Sequence, residues 1–448
     1  MAKAARDMLY KEFIENNTIN PKLYDRYEVK RGLRNYDGTG VMAGLTNICN
    51  VHGYIISDGE RQPIEGELIF RGYNIKDIIS NCINEDRFGY EETVYLLLMG
   101  ALPNKTELES FKEILAENRQ LPEGFFEDMI LKAPSINIMN KLSRSVLSMY
   151  SYVDNPENGS PEYEMATAVS IIAKLPAMMI DSYQVKRRYF NNETMYMHPH
   201  IPGQSTAEMI LSTLRSDRSY TQQEAKLLDL FLMLHAEHGG GNNSTFACRV
   251  LTSSGTDPFS SYSAAIGSLK GPKHGGANQK VVEMQHCIQR NVSNWDDEEE
   301  VTEFLKKILR KEENDHSGLI YGMGHAVYTL SDPRAVILKE NAKKLAAGTE
   351  FEKEFNLLEI IERATPKAFE EVKGDAKIVC ANVDMYSGLV YKMLGIPEEL
   401  VTPLFAVSRM AGWCAHRFEE IVTGKRIIRP AYKSVSKSKV YVPMSERE

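Results

Sequence analysis

Paired cysteines are missing from this chain. Its six cysteines, Cys49, Cys82, Cys248, Cys287, Cys380 and Cys414, are scattered, with no CxxC pair and no zinc-type spacing. That sets aside a disulfide framework and a cysteine-held zinc, and a reduced cytoplasmic protein is expected. An excess of positive charge is missing too: 53 Lys and Arg stand against 61 Asp and Glu, a formal net charge of −8. Nucleic-acid binders usually carry a basic face, so that class is set aside, and any anionic ligand must be held by locally placed arginines. No apolar run reads as long enough to span a bilayer. The segment from Met1 to Asn20 carries Asp7, Glu12 and Glu15, whereas a transit peptide is poor in acids and a secretory signal needs an apolar stretch. Internal repeats and low-complexity tracts are also lacking.

What is there is apolar and mostly helical in period. With 448 residues and 43% hydrophobic content the chain can bury a large core. The run from Glu91 to Met99 predicts a helix stopped by Gly100, with Pro103 just beyond. Ser293 and Asn294 are expected to cap a helix with Asp296, Asp297 and Glu298 in its first turn and Lys306, Lys307 and Arg310 in its last, an order that complements the helix dipole. Apolar residues recur at helical spacing from Glu224 to His238. Strand signals are few: Val51 to Ile56 and Ile64 to Phe70 predict a hairpin with a long connection starting at Ser57-Asp58-Gly59. The glycines at 239–241 and 271–276 follow no predicted strand, so they are not a dinucleotide fingerprint. A mainly α fold with a short N-terminal β-hairpin is expected.

Titratable side chains stand beside small or turn-forming residues in three segments: Gly271 to Asn278 around His274, Gly322 to Tyr328 around His325 with Asp332-Pro333-Arg334 following, and Asn382-Val383-Asp384. Two imidazoles and a carboxylate are the groups needed to remove a proton from carbon and stabilise the resulting enol. His274 precedes a helical run from Asn278 to Gln285; it is either a turn histidine or a neutral donor whose pKa the helix N-terminus lowers. Arg334, nine residues past His325, is suited to bidentate carboxylate binding. Asp384 is a helix cap or a base with a raised pKa. His235 and His238, three apart, share one face if helical; they are core or capping histidines, a weak HxxH metal pair, or the groups that polarise and orient a substrate carbonyl. Arg409 on a mostly apolar helix needs a partner, and Arg429 reads as a surface residue.

Eight segments occur in an order that resembles the citrate synthases: Leu68 to Tyr73, Tyr95 to Pro103, Lys174-Leu175-Pro176, His235 to Ser244, Leu269 to Asn278, Gly322 to Arg334, Asn382 to Leu394 and Thr402 to His416. The resemblance covers nearly the whole chain. It implies a two-domain helical homodimer, with residues 1–274 and 395–448 forming a large domain and 275–394 a small mobile domain closing over the cleft. It implies condensation of acetyl-CoA with oxaloacetate and water to give citrate and CoA, with no permanently bound cofactor and no metal. Asp384 would take the methyl proton, His274 would donate to the thioester oxygen and His325 would polarise the ketone. His238 and Asn242 would bind oxaloacetate. Arg334, Arg409 and Arg429 would hold carboxylates, Arg429 reaching in from the partner subunit. Leu319, Ile320, Tyr321, Gly322, Met323 and Gly324 would lie against CoA. Departures are Tyr321 where Pro is usual, Lys273 for a common Leu, Ala326 where many bacterial members have Arg, and Ala431 after Arg429-Pro430. Extra length falls around 58–66 and 150–164.

Three rivals remain at this stage. A 2-methylcitrate synthase would use propionyl-CoA, and a single methylene discriminates by only about 1–3 kcal/mol. A catalytically inactive homologue would bind ligands without turnover, against which His274, His325 and Asp384 stand. A hydrolase with a metal on His235 and His238 would be sensitive to chelators, and acidic ligands near that pair are scarce.

Overall fold

The computed structural model describes residues 2–57, 60–374 and 378–447. Helix accounts for 58% of the structure and strand for 6%. Among the described residues the one sheet is antiparallel, with β1 (Cys49–Ser57), β2 (Glu60–Phe70) and the two-residue β3 (Tyr73–Asn74) in that order. The long connection expected within the hairpin is instead ladder, since β2 begins at Glu60 and pairs back to Ser57. Of the turn expected there, Asp58 and Gly59 lie outside the described residues.

Two long helices form the centre. Pro161–Phe190 starts with Ser160 as N-cap and proline in its first turn, and Val401–Thr423 lies against it. By length and composition Pro161–Phe190 could cross a membrane, which corrects the reading that no run is long enough; 72% of its most apolar stretch is buried inside the protein, as in a soluble core helix. Arg417 joins the pair: its Nε and Nη2 donate to the Glu164 carboxylate at 2.8 and 2.6 Å, and Nη1 donates to Ser261 Oγ of the helix Pro258–Leu269 at 2.9 Å. Both charged partners are almost fully buried.

Helix starts follow local chemistry. Asn104, Ser205 and Thr221 each form a reciprocal capping box with a glutamate three residues on. The helix Tyr90–Met99 stops at Gly100 as expected. The helix expected after Ser293-Asn294 begins later, at Glu298, because Asp297 accepts from the amides of both Glu299 and Glu300. Ser293 and Asn294 instead donate their amides to the Glu300 carboxylate.

The described part of residues 277–393 contributes five helices, Ala277–Asn291, Glu298–Leu309, Pro333–Ala346, Glu352–Lys373 and Asp384–Met393, which pack chiefly on one another. Each helix buries its apolar stripe, for example Phe355, Leu358 and Ile361 of Glu352–Lys373.

The Glu164–Arg417 pair gives a direct test of the centre. Glu164→Ala leaves a buried guanidinium without its carboxylate and is expected to cost about 3–5 kcal/mol, read from the midpoint of urea unfolding. An unchanged midpoint would show that the pair does not hold the two helices.

Candidate active site

The segments around His325 and Asp384 lie more than fifty residues apart in the chain and are joined by backbone. Met323 and Ala381 form an antiparallel bridge. Gly324 N donates to Cys380 O at 2.7 Å and Asn382 N to Gly322 O at 2.9 Å. The Asn382 side chain works in both directions: Nδ2 donates to Gly324 O at 2.9 Å, and Oδ1 accepts from Asp384 N at 3.0 Å. Asp384 is thereby fixed as the first residue of the helix Asp384–Met393.

His325 Nδ1 accepts the amides of Val327 at 3.1 Å and Tyr328 at 3.2 Å. A nitrogen that accepts two N–H groups carries no proton, so the neutral ring is protonated at Nε2. Burial, with Arg334 adding to it, pulls the imidazole down to about 4. The ring stacks on Tyr328 at 4.7 Å between centroids and meets the edge of His238 at 5.1 Å.

His238 lies beyond the end of the helix Gln222–His235, so it shares no helical face with His235. His235 is a core residue. It is fully buried, stacks on Phe231 at 4.0 Å and has Nδ1 against Phe231 O at 3.0 Å. The two histidines therefore do not form a pair, and among the described residues no group of three or more His, Cys, Asp or Glu side chains has metal-binding geometry. Burial and Arg334 push the His238 imidazole well below its ordinary value.

His274 sits in the turn before the helix Ala277–Asn291, where Gly275 N reaches back to Leu269 O at 2.9 Å. A Cβ at Gly275 would lie 2.6 Å from that same oxygen, which explains the glycine. Burial, then the charge of Arg409, lowers the His274 pKa to about 4. Its Nε2 lies 3.0 Å from Ser244 Oγ, which also reaches Asn242 Oδ1 at 2.8 Å and accepts from Trp413 Nε1 at 3.2 Å. Whichever acceptor takes the Ser244 proton sets which nitrogen of His274 is protonated.

Asp384 is half-buried, and desolvation raises its carboxyl to about 6 against the restraining charge of Arg334. Arg334 is held bidentately by Asp332, Nε to Oδ1 at 3.0 Å and Nη2 to Oδ2 at 2.7 Å. Arg409 is fully buried. Its Nε donates to His235 O at 2.7 Å, while Nη1 and Nη2 have no partner among the described residues. Two such donors, desolvated and unused, suit an anion.

The remaining expected residues are placed unevenly. Ile320 is buried in the core, Leu319 is about half exposed, and the Tyr321 hydroxyl donates to Asp315 at 2.6 Å. Lys273 faces solvent. Arg429 is exposed on the C-terminal segment and is not brought to the other site residues within this chain.

The sequence reading missed Ser244, Tyr328, Asp332 and a buried pair behind His238. In that pair Glu237 Oε1 and His416 Nε2 are 3.0 Å apart, and Arg249 Nη1 is 2.8 Å from His416 Nδ1. The signal was there: Glu237 between two histidines at an apolar helix end, and His416 on an apolar helix, each demand a partner.

Comparisons with known proteins show the family and the fold. A family model described as "Citrate synthase, C-terminal domain" matches residues 35–431. The chain is 32% identical to the citrate synthase of Synechocystis over 96% of both chains. It is 29% identical to 2-methylcitrate synthase 1 of Corynebacterium glutamicum over 94% of this chain and 99% of that one. Among solved structures, citrate synthase from Thermoplasma acidophilum in ternary complex with carboxymethyl coenzyme A and oxaloacetate superimposes with a TM-score of 0.74 at 26% identity, covering 94% of this chain and 99% of that one. Fold and matches together define a mainly helical enzyme of the citrate synthase type. The chain belongs to the citrate synthase family.

The Asp384 environment is testable without turnover. Its carboxyl is expected to titrate near 6 rather than near 3.8, read as the difference in proton uptake between the native protein and Asp384→Asn. An ordinary carboxylate value would remove the argument from desolvation.

Proposed function

We propose that this enzyme condenses acetyl-CoA with oxaloacetate and water, giving citrate and CoA. A thioester methyl is a very weak acid, so a lone carboxylate cannot remove its proton usefully, and a donor on the carbonyl oxygen must share the work. Asp384 takes the methyl proton, and His274 donates to the thioester oxygen and stabilises the enol. The enol carbon attacks the ketone carbon of oxaloacetate. His325, through Nε2–H, polarises that ketone and protonates the new alkoxide. Water then cleaves the thioester and releases the thiol.

His238 and Asn242 orient oxaloacetate, and Arg334 and Arg409 hold its carboxylates. In the homodimer that the reading entails, Arg429 comes from the partner subunit. Residues 275–394 form the smaller domain, whose closure keeps water from the enol, and the 319–324 segment lies against CoA. The observation that carries the proposal is Arg409, fully buried with both terminal nitrogens unpartnered among the described residues in a protein of net negative charge.

Propionyl-CoA is the second acyl donor to consider, since the relatives include 2-methylcitrate synthases at nearly the same identity as the citrate synthases. The test is thiol release with each thioester, with and without oxaloacetate. Release is expected to require oxaloacetate and to fall about 100- to 10,000-fold in Asp384→Ala. With native protein, kcat/KM is expected to drop as pH falls through about 6, where Asp384 becomes protonated, while His274 and His325, each at about 4, stay neutral. Faster release with propionyl-CoA would assign the second reaction. A folded protein that releases no thiol from either would leave a binding role.

A further inference from the structure

The hairpin reaches the loop that carries His325. The β1–β2 ladder breaks between His52 and Tyr54: His52 pairs with Glu67, but Tyr54 pairs with Pro63. Gly53 on one strand and Ile64 to Gly66 on the other are therefore left out of register. The 327–331 segment occupies this break. Arg61 Nη2 donates to Val327 O at 2.9 Å, Gly66 N to Ser331 Oγ at 3.1 Å, and the Tyr328 hydroxyl to Glu67 O at 3.2 Å. The Ser331 hydroxyl also donates to the Glu65 carboxylate.

Both glycines are required by the approach. A Cβ at Gly53 would lie 2.9 Å from Val327 O, and one at Gly66 would lie 2.7 Å from the Tyr328 ring and against Ser331 O. Arg61 is itself held over the Tyr54 ring, 4.0 Å from its centroid.

The contacted residues are those that orient the catalytic imidazole. Val327 and Tyr328, whose amides fix the acceptor state of His325 Nδ1, are the same two residues that Arg61 and Glu67 hold by their carbonyl and hydroxyl. We propose that the hairpin is a positioning element for His325, acting through the 327–328 backbone, with Arg61, Gly53 and Gly66 as the positioning residues. The extra chain length around 58–66 thereby acquires a role. The inference rests on the proposed action of His325 on the ketone.

The test uses Arg61→Ala, Arg61→Lys and Gly66→Ala in the full chain. Misplacement of a catalytic group lowers the chemical step about 10- to 100-fold, so kcat is expected to fall by that factor in Arg61→Ala while KM for acetyl-CoA holds. Lysine keeps one donor and is expected to restore most of the loss. The 13C resonance of the keto carbon of bound labelled oxaloacetate reports its polarisation; it is expected to shift toward the free-ligand position in Arg61→Ala and to return in Arg61→Lys. A kcat and keto resonance at native values in Arg61→Ala would overturn the inference, as would a rise in KM alone, which would make the hairpin only a cover over the cleft. If Gly66→Ala does not fold, the Arg61 pair still decides. Native protein that releases no thiol overturns the functional reading and the inference with it, whereas active native protein with an indifferent Arg61→Ala overturns the inference alone.

Discussion

The site depends on a short piece of backbone ladder. Gly322 to Gly324 and Cys380 to Asn382 are hydrogen-bonded as an isolated bridge, outside any sheet among the described residues. Without it the loop ending in His325 and the helix beginning at Asp384 would be independent. With it, a donor imidazole and a carboxyl are placed through main-chain atoms, whose positions are far less adjustable than those of side chains. The Asn382 amide closes the arrangement by serving both strands of the bridge at once.

Burial then sets the charge states. The same loss of water that lowers the pKa of His274, His325 and His238 raises that of Asp384, so the imidazoles become neutral donors while the carboxyl gains basicity. The guanidinium of Arg334 acts on both sides of this balance, further lowering His325 and restraining Asp384. Its own charge is held in place by Asp332, which takes both Nε and Nη2 of the fork.

Much of this was legible in the chain. The glycine-rich settings of His274 and His325, the helix ended by Gly100 and the apolar helix around Arg409 are local signals, and each appears where local chemistry put it. The Asp297 cap was missed because four acceptable caps, Ser293, Asn294, Asp296 and Asp297, stand within five residues and only the fold selects among them. His235 and His238 were read on one face because periodicity cannot show where a helix stops. The Ser244–His274 contact, the Glu237–His416 pair and the docking of the hairpin on 327–331 join residues 30, 179 and about 265 positions apart. No spacing rule reaches that far, and only the demand of a buried polar group for a partner hinted at them.

The cysteines carry a consequence of a different kind. Burial raises the pKa of Cys49, Cys82, Cys248, Cys380 and Cys414, which keeps these side chains as thiols rather than thiolates. Disulfide exchange begins with a thiolate. Five of the six sulfurs are thus held in the form that attacks a disulfide poorly, so the folded chain is expected to resist mixed-disulfide formation with small-molecule disulfides.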